Sequence, residues 1–281
     1  MTTIAARLQA VRSRIEAAAE SAGRSSQDIR LIAVSKTFAP YAIAEACAAG
    51  QSAFGENYLQ EAVRKIATLS DLRFDGHVAS PEGPLLRPLE WHVAHEQQDR
   101  EQEEGDVRPC AGVASPEGPL LRPLEWHFIG PIQSNKSRQI AELFHWAHGV
   151  DRLKIAERLS SSRPADLPSL QICIQVNVSG EASKGGVPPD EVLALAQAIL
   201  PLSGVRLRGL MAIPEPTPDI GLQRSRFREI RELKDDIVSR GIALDTLSMG
   251  MSDDLEAAIA EGATLVRVGR AIFGERLPRS G

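Results

Sequence analysis

The feature that most constrains this chain is a regular alternation between short apolar runs and longer segments of helical character. With a repeated tract at about residues 78–112 set aside, the apolar runs fall at 29–35, 51–55, 124–129, 145–149, 170–177, 205–212, 244–248 and 264–268. Helices are expected at 2–22, 40–49, 57–69, 134–143, 151–161, 188–200, 221–240 and 252–261. Short, mostly apolar runs fit strands buried on both faces of a parallel sheet. Eight strands alternating with helices predict an α/β fold, a single (β/α)8 TIM barrel, rather than an open doubly wound sheet. Asp151 and Ser252 are expected N-caps, and Gly50, Gly241 and Gly262 expected helix stops. The eighth helix is almost missing, because only Glu275 to Gly281 follow Gly274. The extra N-terminal helix, 2–22, is expected to cover that gap.

The tract set aside is a duplication. Val78 to His92 reads VASPEGPLLRPLEWH, and Val113 to His127 repeats it letter for letter, thirty-five residues later (127 minus 92). Identity over fifteen residues differs from a structural repeat family, in which only the pattern persists. The second copy continues into an apolar strand, whereas the first runs into a polar, acidic stretch from His92 to Gly112. The second copy is therefore expected to be structural. Residues 78–112 read as an inserted, poorly ordered surface loop on one barrel domain spanning 1–281.

Composition excludes several classes. Of 281 residues, 25% are charged and the formal net charge is −5, without a basic block, so nucleic acid is a poor partner. No apolar stretch is long enough to span a bilayer, and Met1 to Glu20 lacks the apolar core of a signal peptide. Cys47, Cys110 and Cys173 lie far apart, which suggests a reducing, cytoplasmic setting without disulfides. His145 and His148 flank a strand without nearby carboxylates, and His92 and His95 fall in the inserted tract, so a zinc site is not expected. His127 fits either a pocket wall or a core histidine, and Cys173 reads as packing within a strand.

Active sites of such barrels lie at the C-terminal ends of the strands. Those positions are Lys36, Glu56 and Asn57, His127 to Gly130, Asn177, Met211, Ser248 to Gly250, and Arg267 to Arg270. Lys36 ends an apolar run, and a lysine at the mouth of an apolar site loses solvation, which favours the neutral, nucleophilic amine. Considered alone, the reading that wins is a solvated lysine at a strand end, because lysine is mostly exposed. Gly269 follows the last strand and opens a short helical turn, so the amides of Gly269 and Arg270 can face a phosphate. Arg267, two residues earlier, faces the same side as Gly269; it could reach a ring nitrogen or serve as a core ion pair. Ser252, Asp253 and Asp254 resemble a metal-binding carboxylate pair but are expected to start a helix.

Six segments in order resemble the pyridoxal 5′-phosphate homeostasis proteins, a family similar to the N-terminal barrel of alanine racemase. They are Ala33 to Thr37 (AVSKT), Phe54 to Tyr58 (FGENY), Trp126 to Lys136 (WHFIGPIQSNK), Arg208 to Pro214 (RGLMAIP), Leu247 to Asp254 (LSMGMSDD) and Val266 to Gly269 (VRVG). The resemblance covers nearly the whole chain outside residues 78–112. It implies a fold-type III barrel carrying pyridoxal 5′-phosphate on Lys36 as an internal aldimine. It also implies phosphate contacts from Ser248, Gly269 and Arg270, Arg267 near the pyridine nitrogen, and Asn57 and Met211 lining the pocket. Arg270 departs from the small hydroxyl residue that follows the glycine in many members, which keeps the amide contact and replaces a hydroxyl with a charge.

The expected function is intracellular pyridoxal phosphate homeostasis: a monomeric cytoplasmic carrier that holds and releases the cofactor, with apo-enzymes as recipients and without robust catalysis. The alternative is a racemase-like enzyme. Racemisation needs acid–base groups on both faces of the bound substrate, and in racemases one comes from a second domain that this chain is not expected to have.

Overall fold

A computed structural model describes residues 2–71, 124–180 and 185–275. Its strands are β1 (Arg30–Val34), β2 (Ala53–Glu56), β3 (Glu125–Phe128), β4 (Trp146–Val150), β5 (Leu170–Val176), β6 (Val205–Ala212), β7 (Thr246–Ser248) and β8 (Leu265–Val268). Every neighbouring pair is parallel, and β8 pairs back to β1, so the sheet closes into the expected eight-stranded barrel. Each strand lies within about two residues of its expected position.

The helices are α1 (Ile4–Ser21), α2 (Pro40–Ala48), α3 (Leu59–Asp71), α4 (Ser137–Leu143), α5 (Leu153–Ser162), α6 (Val192–Ile199), α7 (Ile220–Ser239), α8 (Leu255–Ala260) and α9 (Arg270–Phe273). Gly50, Gly241 and Gly262 follow α2, α7 and α8 with positive φ, as expected of helix stops. The expected caps differ. Arg152 occupies the N-cap of α5, and Asp151 instead pairs with the Arg152 guanidinium. Asp254, not Ser252, precedes α8; its carboxylate accepts from the Met251 amide and closes a turn in place of a helix cap.

The last helix, α9, is a single turn, and α1 covers the gap it leaves by packing against α2, α8 and α9. Leu8, Val11 and Ile15, spaced along one face, are buried there. Each such burial contributes about 1.5–3 kcal/mol relative to exposure. Thr3 caps α1 by accepting from the Ala6 amide, and Arg24 fixes the exit by donating to the carbonyls of Ile259 and Ala263.

Inside the barrel, Ile32, Trp146, Cys173, Met211 and Leu265 form their own apolar cluster, separate from the larger core between strands and helices. Burial pushes the Cys173 thiol up to about 12, consistent with packing. The expected insertion, 78–112, lies outside the described residues. Of the second copy, Leu124 to His127 are described, and Glu125, Trp126 and His127 build β3. No helix among the described residues is long and apolar enough to cross a membrane.

Candidate functional site

Lys36 stands two residues beyond the end of β1 and is half-buried. Thr37, next in the chain, has φ 71°, a left-handed conformation that costs a residue with a Cβ about 1–3 kcal/mol. The neighbouring elements hold that turn. Glu61 on α3 accepts from the Thr37 amide over 2.5 Å. Lys65, one helical turn later and almost fully buried, donates to the Ser35 carbonyl over 2.7 Å and to Glu56 Oε1 over 2.8 Å, and also pairs with Glu61. The Ser35 hydroxyl donates to the same Glu56 oxygen over 2.7 Å. Both peptides around Lys36 are thus fixed from α3 and β2. Burial raises the Glu56 carboxyl, and the Lys65 charge works against that rise.

The end of β8 lies beside the end of β1, with Ala33 in register with Val268. A Cβ on Gly269 would come within 3.1 Å of the Val34 carbonyl oxygen, a tight contact that the absence of a side chain avoids where the two strand ends meet. Gly269 is also the N-cap of α9, where the first amides have no intrahelical acceptor. Phe38, two residues past Lys36, stacks on Phe273 of α9 with ring centroids 5.1 Å apart. The lysine turn and the glycine turn therefore form one packed unit.

Arg267 is buried and donates to Ser248 Oγ over 2.7 Å and to the Ala212 carbonyl over 2.9 Å. Two of its five N–H groups are used in these bonds. Burial lowers Arg267 to about 10, so it stays charged at neutral pH. Met211, from β6, is fully buried in the inner cluster. Arg270 turns its guanidinium outward to Asp253, an exposed pair 2.5 Å apart. That pairing directs the Arg270 charge to Asp253.

Asn57 follows β2, and its Oδ1 is buried without a hydrogen-bond partner. Gly130 explains how Asn57 is placed: a Cβ there would lie 2.3 Å from the Asn57 carbonyl oxygen, so the exit of β3 packs flush on the Asn57 backbone. An orphaned buried amide, a half-buried lysine, a buried arginine with spare N–H groups and a glycine-lined helix start share one barrel end. That set of donors, with the Asn57 oxygen as an acceptor, fits an anionic, planar aldehyde such as pyridoxal phosphate. A cleft of about 260 Å³ between α1 and the starts of β1 and β2 lies at the other end.

Two sets of residues were not expected from sequence. Lys65 had a usable signal, because it falls on the same helical stripe as buried Leu59, Ala62 and Leu69. His148 lies inside β4, with its ring 2.8 Å from Ser248 Oγ, and the β4–β5 pairing shifts register between Ala147 and Val150, the stretch that carries it. His127 is fully buried and belongs to the barrel interior, the core alternative of the two open for it.

Comparison with known proteins agrees with this geometry. Residues 6–277 match the family model for the alanine racemase N-terminal domain. A pyridoxal phosphate homeostasis protein of Pseudomonas aeruginosa is 50% identical over 276 residues, covering 98% of this chain and 97% of the relative. One from Escherichia coli is 44% identical over 276 residues, covering 98% of each. The structure of PipY from Synechococcus elongatus with pyridoxal phosphate bound is similar with a TM-score of 0.71 at 31% identity, over 97% of this chain and 100% of that one. Alanine racemase from Corynebacterium glutamicum shares the fold, with a TM-score of 0.56 at 14% identity over 98% of this chain and 63% of that one. The chain belongs to the alanine racemase N-terminal domain family and, within it, to the pyridoxal phosphate homeostasis proteins.

Proposed function

We propose that this chain is a cytoplasmic pyridoxal 5′-phosphate carrier, holding the cofactor through the Lys36 amine and releasing it to apo-enzymes. The observation that carries the reading is the joint between β1 and β8, where Lys36 and Gly269 follow strands in direct register and share a packed turn. Family membership and the cofactor bound to PipY support the choice of ligand.

Bound pyridoxal phosphate supplies an aldehyde that condenses reversibly with an amine. The chain's residues divide the remaining work. The amides of Gly269 and Arg270, at the start of α9, and Ser248 would offer hydrogen bonds to the phosphate. Asn57, through its unsatisfied Oδ1, and Met211, through its apolar side chain, would line the ring. Arg267, charged at neutral pH, would serve as a donor to the ring nitrogen and so disfavour a proton there. An unprotonated ring withdraws electrons less strongly, which favours holding the cofactor over turning over a substrate. The turn around Lys36 is fixed from below by Lys65 and Glu61, so the amine is presented without reorganisation.

The test is a titration of apo-protein with pyridoxal phosphate followed by absorbance, then mixing with an apo-enzyme. The expected result is a saturable, lysine-dependent absorbance band and recovery of activity in the acceptor. A protein that stays colourless contradicts the reading.

A further inference from the structure

The exits of β7 and β8 are joined by side chains twice, once on the buried side and once on the solvent side. Met249 donates its amide to the Leu265 carbonyl over 3.1 Å, and Arg267 donates its amide to the Gly250 carbonyl over 2.9 Å, so the two exits run side by side. On the buried side, Arg267 donates to Ser248 Oγ. On the solvent side, Arg270, the first residue of α9, donates from Nη2 to Asp253 Oδ2 over 2.5 Å; Asp253 lies between β7 and α8. The two joints differ in kind. Arg267 and Ser248 are buried, whereas the side chains of Arg270 and Asp253 are 62% and 79% exposed.

An ion pair this open to water holds its partners weakly, because solvent screens the attraction and both long side chains lose freedom. The contact also uses one guanidinium nitrogen, in place of the two-pronged grip that arginine can give an oxyanion. A phosphate monoester carries close to two negative charges at neutral pH and accepts that two-pronged grip. Competition for the Arg270 side chain therefore favours a phosphate held at these turns over Asp253. The carboxylate that Arg270 gives up faces water, so its release costs little. The turn that carries Asp253 does not depend on the pair, because the neighbouring Asp254 accepts from the Met251 amide and closes it.

We propose that Arg270 exchanges partners when a phosphate-bearing ligand binds: its guanidinium leaves Asp253 and grips the phosphate, which makes Arg270 a specificity residue for the phosphate and Asp253 its competitor for that side chain. The proposal rests on the pyridoxal phosphate reading for the place of the phosphate, at the turn of Gly269 and Arg270. Arg270 follows Gly269 directly, so its amide and its guanidinium act on one anion from the same residue. Only a side chain turns, because backbone hydrogen bonds hold the two strand exits together. The two halves of the ion pair then have opposite effects on binding. Removing the arginine takes away an attraction, and removing the aspartate charge takes away both a competitor and a repulsion.

Equilibrium titrations of the parent, Arg270→Gln and Asp253→Asn test this, with pyridoxal phosphate, pyridoxal and inorganic phosphate as probes. Both positions are exposed, so both variants are expected to fold. Arg270→Gln should weaken pyridoxal phosphate about tenfold, the loss of one charge-assisted contact. Asp253→Asn should tighten it about two- to fivefold, the worth of the exposed pair that it removes. Pyridoxal, which lacks the phosphate, should bind both variants as it binds the parent. If the pair were only a structural latch, both variants would shift pyridoxal phosphate in the same direction, since each removes the same contact. That result overturns the proposal, as does an unchanged affinity in Arg270→Gln. Inorganic phosphate, followed by 31P NMR, makes no bond to Lys36 and should show the same order: Asp253→Asn tightest, then the parent, then Arg270→Gln. That order in a protein that takes up no pyridoxal phosphate would sink the carrier reading and leave Arg270 in place. Pyridoxal phosphate bound equally by all three proteins would do the reverse.

Discussion

Lys65 Nζ donates to the Ser35 carbonyl over 2.7 Å, so a buried cation on α3 holds the peptide that joins Ser35 to Lys36. The same amine neutralises Glu56, which is fully buried under the lysine turn. Replacing it with Lys65→Met should expose that dependence. The variant leaves an uncompensated carboxylate and should lose about 3–5 kcal/mol of stability by urea unfolding. Cofactor retention should fall with it, because the Thr37 turn loses the Glu61–Lys65 clamp. A variant as stable as the parent, with unchanged retention, would show that the clamp is incidental.

Gly269→Ala should fold and bind the cofactor less well. The new Cβ meets the Val34 carbonyl oxygen at 3.1 Å and the Val34 Cβ at 3.3 Å, which forces the ends of β1 and β8 apart by a few tenths of an ångström. Affinity for pyridoxal phosphate should drop about tenfold, equivalent to about 1.4 kcal/mol. Equilibrium titration of both proteins measures it, and equal affinities would remove Gly269 from the site.

Acid should destabilise the fold before the carboxylates alone would require it. Burial lowers His145 to about 4 and lowers His127 and His148 as well, so each is neutral when folded and takes up a proton on unfolding below its ordinary pKa of 6.5. Their contribution is present above pH 6.5 and is lost as pH falls toward 4, at up to about 1.4 kcal/mol per pH unit for each ring. Glu125 adds a loss in the same direction between pH 4.5 and about 2. Glu56 works the other way: its raised pKa stabilises below 4.5, and that share is lost as pH rises through the folded value. Unfolding free energies from pH 7.5 to 4.5 should show the slope steepening below 6.5. A flat profile contradicts the neutral assignment.

Deleting residues 78–112 removes one copy of the duplicated stretch and leaves Val113 to His127, whose last three residues build β3. The shortened chain should unfold within a few degrees of the parent and bind the same cofactor. Loss of folding would mean that the first copy contributes to the barrel.

The barrel was readable because its signal is repeated eight times: each buried strand is a short apolar run and each helix an amphipathic segment. That Lys36, Arg267 and Gly269 lie together at one barrel end was readable for a related reason. Chemistry in this architecture collects at strand ends, and those residues end strands. The two expected caps failed for local reasons that sequence does not fix: Asp151 pairs with Arg152, and α8 starts two residues later than expected, so Asp254 rather than Ser252 precedes it. Lys65 and His148 were hidden by base rates that assign lysine to the surface and histidine to no particular partner. Their roles depend on contacts across the fold, from α3 to β1 and from β4 to β7, that no local pattern encodes.

The central claim is that Lys36 carries the cofactor. It is tested by loading the protein with pyridoxal phosphate, reducing it with borohydride and locating the added mass by peptide mapping. The account predicts the label on Lys36 and its disappearance in Lys36→Ala. Label on Lys65, on any other lysine, or on none would contradict it.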